Sequence, residues 1–140
     1  MGTLSLKRAY VPPDPNDGIR LLVDRLWPRG VSRSKAEIYC WMKEIAPSPL
    51  LRKWFGHDPA RFAEFSERYR EELDGNPETV AQVCDMVCQH DVTLVYAARH
   101  PRINHACVLA KYLAEHGCVL KASDGSVKRI APLVIERTDA

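Results

Sequence analysis

The fold is decided by a strand–helix–strand stretch that reads VTLVYAARHPRINHACVLAKYLAEHGCVL, residues 92–120. Its first part, Val92 to Ala98, is apolar and rich in β-branched residues, which is typical of a buried strand. Asn104 then stands where a helix N-cap is expected, and Gly117 is suited to end that helix. Residues 118–120, Cys-Val-Leu, resume as a strand. This order is typical of neighbouring parallel strands joined by a helix.

Two further strands are predicted before this stretch. Leu4 to Tyr10 alternates between apolar and polar residues, and Ile19 to Leu26 is apolar and bounded by turn residues. The second of these ends at Trp27-Pro28-Arg29-Gly30, where proline removes a backbone donor and glycine permits a tight turn. After the central stretch, Asp124-Gly125 predicts a turn, and Val127 to Ile135 predicts an edge strand interrupted by Pro132.

Helical patterns fill the chain between residues 34 and 89. Ser34 and Glu37 resemble a capping box, and an apolar stripe follows it at Ile38, Trp41, Met42 and Ile45. Three more helices are predicted to begin at a capping residue followed by proline, at Ser48-Pro49, Asp58-Pro59 and Asn76-Pro77. Strands and helices in this order predict an α/β fold, with a small, mostly parallel sheet covered by helices in a single domain.

Composition excludes several classes of protein. The chain has 140 residues, 46% hydrophobic and 27% charged, which indicates one globular domain rather than a disordered segment. The net charge of +2 is too small for a polycation that coats nucleic acid, although residues 1–57 carry ten Lys and Arg against five Asp and Glu. No secretory signal or membrane-spanning run is apparent, so we expect a cytoplasmic protein. The five cysteines are odd in number and irregularly spaced, which favours free thiols.

Many of the rarer residues occur in one recognisable order. The segments that carry it are Lys7-Arg8-x-Tyr10, Asp17-Gly18 through Trp27-Pro28-Arg29-Gly30, Trp41-x-Lys43-x-Ile45-Ala46-Pro47-Ser48, Leu51 through Asp58, Phe65-x-x-Arg68-Tyr69-x-x-Glu72-Leu73, and Thr93-Leu94-x-Tyr96-Ala97-Ala98 through Asn104-His105-Ala106. Together they resemble the YeaO-like family of small bacterial proteins, a family of unknown function. The resemblance implies a compact α/β fold and no particular reaction. It divides the chain into a family-like domain, residues 1–117, and a C-terminal extension, residues 118–140.

The first candidate site is the end of the second predicted strand. Asp24, Arg25 and Arg29 lie there, and ligands of open α/β sheets bind outside the carboxyl ends of strands. Arginine forks bind carboxylate or phosphate, and Asp24 could orient a fork or act as a base. Arg8, at the end of the first predicted strand, is included among the ligand-binding candidates. The alternative is an ion pair of Asp24 with arginine that only stabilises the turn.

The second candidate site is the junction that leads from residue 95 to residue 106. Arg99, His100, Arg102 and His105 surround the predicted helix start, where unpaired N–H groups favour anions. Ordinary capping by Asn104 is the alternative. If the strands ending near 26 and 98 are parallel neighbours, both candidates lie at one edge of the sheet. We therefore predict one anion pocket with Asp24 and His105 as candidate catalytic residues, and Arg8, Arg25, Arg29 and Asn104 as ligand-binding residues.

Other chemistries have weaker support in the sequence. Cys84, Cys88 and His90, or His100, His105 and Cys107, are ligand types without the paired spacing of a structural zinc site, so we expect no metal and no cofactor. Cys107 is favoured as a buried thiol over a nucleophile. Two functional hypotheses remain: an enzyme or degenerate enzyme that binds a small phosphorylated or acidic metabolite, or a non-catalytic module that binds nucleic acid or a protein.

Overall fold

The computed structural model describes residues 2–121 and the backbone of residues 127 and 128. The strands of this part of the chain are β1 (Thr3–Arg8), β2 (Ile19–Leu22), β3 (Cys40–Trp41), β4 (Val92–Tyr96), β5 (Val119–Lys121) and β6 (Val127–Lys128). They form one sheet in the order β3-β2-β4-β1-β5-β6. The first five strands in this order run parallel to their neighbours, whereas β6 pairs with β5 in the antiparallel sense.

The helices of the described residues lie between these strands in the chain. They are α1 (Arg33–Ala36), α2 (Pro49–Phe55), α3 (Phe62–Asp74), α4 (Pro77–Gln89) and α5 (His105–Glu115). Helix α5 packs on β1, β4 and β5, α3 packs on α5, and α2 packs on α3. The predicted α/β domain with a mostly parallel sheet covered by helices is therefore confirmed.

Side-chain caps mark the starts of α2 and α5, and a capped 3₁₀ turn precedes α3, as the sequence predicts; α4 begins at the predicted Pro77, but Asn76 makes no capping hydrogen bond. The hydroxyl of Ser48 accepts a hydrogen bond from the Leu51 amide, and the Asn104 side chain accepts one from Cys107. Asp58 caps a short 3₁₀ turn that leads into α3, and Pro77 begins α4. Phe65, Tyr69 and Leu73 of the predicted α3 stripe are buried in the core, whereas Leu50 of the predicted α2 stripe is exposed.

The prediction of one helix from Ser34 to Ile45 is wrong. Helix α1 is a single turn, capped by Ser32, and it ends at Ala36, after which the C-cap residue Glu37 adopts a left-handed conformation with φ of 52°. The chain then forms β3, in which Cys40 and Trp41 pair with β2. Pairing with the edge of β2 satisfies backbone groups that a helix would have satisfied internally, so tertiary context overrides the apolar spacing.

The two faces of β2 meet different surroundings, as strand alternation requires. Leu21, and Val23 directly after the strand, are fully buried in the main core cluster beneath the helices. Arg20, of the alternate face, is also buried, and its Nε donates to the carbonyl of Ala36 at 2.9 Å. Segment α1 therefore covers the side of the sheet that the core helices leave open.

The end of the chain extends past the described residues. The strand predicted at 118–120 is confirmed as β5, and β6 covers part of the edge strand predicted at 127–135. The predicted turn at Asp124-Gly125 and the rest of that edge strand, with Pro132, lie outside the described residues. Within the described part of the chain, none of the helices has the length and apolar character needed to cross a bilayer.

Candidate functional site

A cavity of about 960 Å³ opens at the carboxyl ends of β2 and β4. The two strands are parallel neighbours, with Leu22 opposite Val95, so the loops that follow them emerge at the same edge of the sheet. Residues 24–29 after β2 and residues 97–100 and 103–105 after β4 line the cavity, together with residues from the region of α2 and Phe65 of α3. The structure thus brings the two predicted candidate sites to one cavity.

Basic side chains dominate the charge of this cavity. Among the described residues that line it, five are Arg or Lys and Asp24 is the one acidic residue; the basic residues are Arg25, Arg29, Arg52, Lys53 and Arg99. Three histidines, His57, His100 and His105, also line it. An excess of cations inside one concave surface raises the local concentration of anions.

Asp24 joins the two loops at the base of the site. Its Oδ2 accepts a hydrogen bond from the amide of Ala97 at 3.0 Å, which connects the end of β2 to the end of β4. Its Oδ1 lies 3.1 Å from Nε2 of His105. That nitrogen has better hydrogen-bond geometry toward the carbonyl of Val23, 2.9 Å away. Oδ1 is therefore a buried carboxylate oxygen that accepts no hydrogen bond from the described residues.

Two of the predicted arginines are bound to backbone carbonyls. Arg8 donates from Nε to Ala98 at 2.9 Å and from Nη2 to Ala97 at 3.2 Å, and it lies outside the cavity lining. Arg25 lines the cavity, but its Nε and Nη2 donate to the carbonyls of Pro47 and Ala46. Both side chains thus hold loops of the site in place.

The remaining four basic side chains are available to a ligand. Arg29, Arg52, Lys53 and Arg99 are exposed, and no ion pair or side-chain hydrogen bond to the described residues engages their charged groups. The backbone of Arg29 is nevertheless fixed, because its carbonyl accepts a hydrogen bond from the Tyr10 hydroxyl at 2.9 Å. The site therefore combines held loops with unpaired charged ends.

Asn104 and His100 organise the loop after β4. The Asn104 side chain is buried, caps α5 through Cys107 and donates from Nδ2 to the carbonyl of His100 at 2.6 Å. His100 Nδ1 in turn accepts the amides of Arg102 and Ile103. A ring nitrogen that accepts hydrogen bonds carries no proton, so the proton of neutral His100 is on Nε2. Asn104 thus shapes this wall of the cavity, with its polar atoms already bonded to the protein.

The sequence as a whole matches a family model over residues 3–132, described as the inactive DUF488-N3 subclade. The chain belongs to the DUF488-N3i family. The match covers residues on both sides of the predicted boundary at residues 117 and 118, and the division of the chain at that point stays a prediction.

Similar bacterial proteins cover most of the DUF488-N3i chain. It is 43% identical to the uncharacterized protein Rv3073c of Mycobacterium tuberculosis over 106 residues. The matched region covers 76% of this chain and 89% of that protein. It is 40% identical over 110 residues to the uncharacterized protein YeaO of Escherichia coli, 79% of this chain and 96% of that protein. The resemblance to the YeaO-like family is therefore confirmed. No solved structure gives a significant match.

The basic pair and the histidine that α2 and the following turn add to the cavity of this DUF488-N3i protein were missed among the predicted site residues. Arg52, Lys53 and His57 belong to α2 and the turn after it, and α2 reaches the cavity because it packs on α3. The rings of Phe55 and Phe65 stack with centroids 4.3 Å apart at this contact. The sequence does show a basic pair, Arg52-Lys53, on a helix whose other side is apolar. Only the tertiary packing shows which cavity that pair faces.

Cys107 of the DUF488-N3i chain lacks the environment of an activated nucleophile. Burial raises the pKa of its thiol, and this effect exceeds the opposing influence of Asn104 and Lys111. The thiol also donates to the carbonyl of Pro101. A thiol with a raised pKa stays protonated at neutral pH and is a poor nucleophile. Among the described residues, no group of three or more His, Cys, Asp or Glu side chains is placed to hold a metal ion.

Proposed function

We propose that this protein binds a small anionic molecule, a phosphate or carboxylate compound, in the cavity at the carboxyl edge of its sheet. The observation that carries the proposal is the set of unpaired cations, Arg29, Arg52, Lys53 and Arg99, supplied by three separate segments to one cavity. Guanidinium groups bind both anion types through paired, charge-assisted hydrogen bonds.

The start of helix α5 supports the same ligand class. Asn104 and His105 line the cavity, so the first turn of an 11-residue helix begins at its wall. The N-terminus of a helix carries unpaired N–H groups and partial positive charge. These dipoles add to the charges of the arginines without requiring any side chain to move.

We include in the proposal that binding occurs without turnover. The family that the chain matches is described as an inactive subclade, and this favours a binding role. The protonated thiol of Cys107 supports the same reading. In this role Asp24 and His105 carry no catalytic step; they join the end of β2 to the start of α5.

A thermal-shift panel tests the proposal. We expect inorganic phosphate, pyrophosphate or a di- or tricarboxylate to raise the melting temperature by several degrees at a hundred times its dissociation constant, where binding adds about 2.7 kcal/mol. Arg99→Ala should reduce the shift. Its matched control is Arg102→Ala, three residues away in the same exposed loop but outside the cavity lining, which should keep the shift.

Two results would contradict the proposal. One is a panel in which none of the anions raises the melting temperature. The other is an equal reduction of the shift by both variants, which indicates diffuse charge attraction instead of a pocket. A shift with nucleic acid alone, falling steeply as salt rises, would support the nucleic-acid alternative.

A further inference from the structure

The cavity is larger and less polar than a simple inorganic anion requires. With about 30 Å³ for each water-sized atom, a five-atom phosphate occupies on the order of 150 Å³. The cavity has about 960 Å³, near the upper end of the range for organic ligands. More than half of the residues lining it are apolar, counting proline, and Leu26, Trp27 and Ile103 among them keep accessible surface. Such a surface suits an organic body with a flat ring beside the anionic group.

Asp24 supplies an independent observation about the ligand. Its buried Oδ1 lies 3.1 Å from Nε2 of His105, which is hydrogen-bonded to the carbonyl of Val23, and accepts no hydrogen bond from the described residues; the residue itself lines the cavity. An unsatisfied buried carboxylate oxygen is costly, so a hydrogen-bond donor on the ligand would relieve that cost. Inorganic pyrophosphate at neutral pH is chiefly an acceptor and is repelled by this carboxylate. A ligand hydroxyl or amino group is the complementary chemistry.

We infer that the occupant is a nucleotide unit, whose phosphate meets the unpaired cations, whose hydroxyl or amino group meets Asp24, and whose base meets the apolar wall. This inference rests on the proposed function and narrows its ligand class. The same chemistry is present in a free nucleotide and in the phosphorylated end of a nucleic-acid strand. Stacking on aromatic side chains and contact with cations recognise both.

The test is a titration of the full-length protein with a graded series of probes. The series is inorganic phosphate, ribose 5-phosphate, adenosine monophosphate, and a tetranucleotide with a 5′-phosphate. We expect affinity to rise along the first three, with adenosine monophosphate binding about tenfold or more tighter than ribose 5-phosphate, since base stacking alone has an effect of that order. Tighter binding of the tetranucleotide than of adenosine monophosphate would identify a strand end as the ligand, and the opposite order would identify a free nucleotide.

The variant Asp24→Asn separates the part played by the carboxylate. We expect it to weaken the binding of adenosine monophosphate severalfold, because the contact with the ligand's donor group is lost. The affinity for phosphate should stay the same or rise, because a negative charge has been removed. Asparagine keeps an oxygen acceptor for the Ala97 amide, and circular dichroism checks the fold.

The outcomes distinguish this inference from the proposed function. If phosphate and ribose 5-phosphate bind as tightly as adenosine monophosphate, the nucleotide inference is wrong and anion binding stands. If none of the four probes binds and carboxylates also fail, both are wrong. If Asp24→Asn weakens the binding of phosphate and of adenosine monophosphate equally, Asp24 makes no specific contact with a donor group of the ligand.

Discussion

Replacing both Arg29 and Arg99 by alanine is expected to weaken the binding of pyrophosphate about a hundredfold or more. Each arginine can make hydrogen bonds to a charged ligand with a net contribution of about 1.5–3 kcal/mol, and two such losses give this factor. The two side chains come from the loops after β2 and β4, so they can hold an anion from two sides. Isothermal titration calorimetry at fixed salt measures the dissociation constant.

A matched control removes the same charge elsewhere on the surface. Lys35 and Arg102 are exposed and lie outside the cavity lining, so their double alanine variant should change the affinity only a few fold. Both double variants should keep their stability within about 0.5 kcal/mol per substitution, since surface changes of this kind have small effects. An equal loss of affinity in the two variants would show that long-range charge, and not contact in the cavity, attracts the anion.

Replacing Arg20 by methionine is expected to lower the free energy of unfolding by about 3–5 kcal/mol, the usual effect of removing one partner of a buried ion pair. Arg20 is 3% exposed, and its Nη1 lies 2.7 Å from Oδ2 of Asp17. Asp17 is also buried and binds Lys7 at 2.8 Å. The loss leaves a buried carboxylate with one cation and frees the Ala36 carbonyl that Arg20 Nε binds. Urea unfolding measures the change.

The double variant Arg20→Met with Asp17→Asn is the control for this effect. It removes the uncompensated charge along with its partner, and we expect it to be more stable than Arg20→Met alone. A stability of Arg20→Met within about 1 kcal/mol of the parent protein would contradict the importance given to this ion pair.

The cluster of Asp17 with Arg20 and Lys7 makes the free energy of unfolding depend on pH in the acid range. Burial raises the pKa of Asp17, but hydrogen bonds from Lys7, the Asp14 backbone and Arg20 together outweigh it and leave the pKa below its usual value. A depressed pKa in the folded state gives stability that is complete above the unfolded pKa of about 3.9. That stability is lost as the pH falls through the lower folded value.

Much of the fold could be predicted because short-range chemistry specifies it. The capping residues Ser48 and Asn104 set the starts of α2 and α5, and the buried run Val92–Tyr96 forms β4. Residues 34–45 were predicted wrongly because their apolar spacing fits a helix. Pairing of Cys40 with the edge of the sheet makes part of this segment a strand instead. A sequence does not show which strand edge is left unpaired.

The position of the cavity at the sheet edge could be predicted from the sequence better than the hydrogen bonds of the residues that line it. Arg29 and Asn104 line one cavity because the ends of parallel neighbours meet at one edge. The carbonyls that engage Arg8 and Arg25 could not be foreseen, since those partners come from distant segments. Arg52 and Lys53 depend likewise on the packing of α2 against α3.

The most direct test of the anion pocket is an NMR titration of the uniformly ¹⁵N-labelled, full-length protein with pyrophosphate. Progressive and saturable shifts are expected for the amides of residues 99–106 and for those around Arg29, with smaller changes near Arg52. Amides of the second half of α4 (Pro77–Gln89), an element that contributes no residue to the cavity, should stay unchanged. Saturable shifts confined to residues outside the cavity, or shifts that never saturate, would contradict the existence of the pocket.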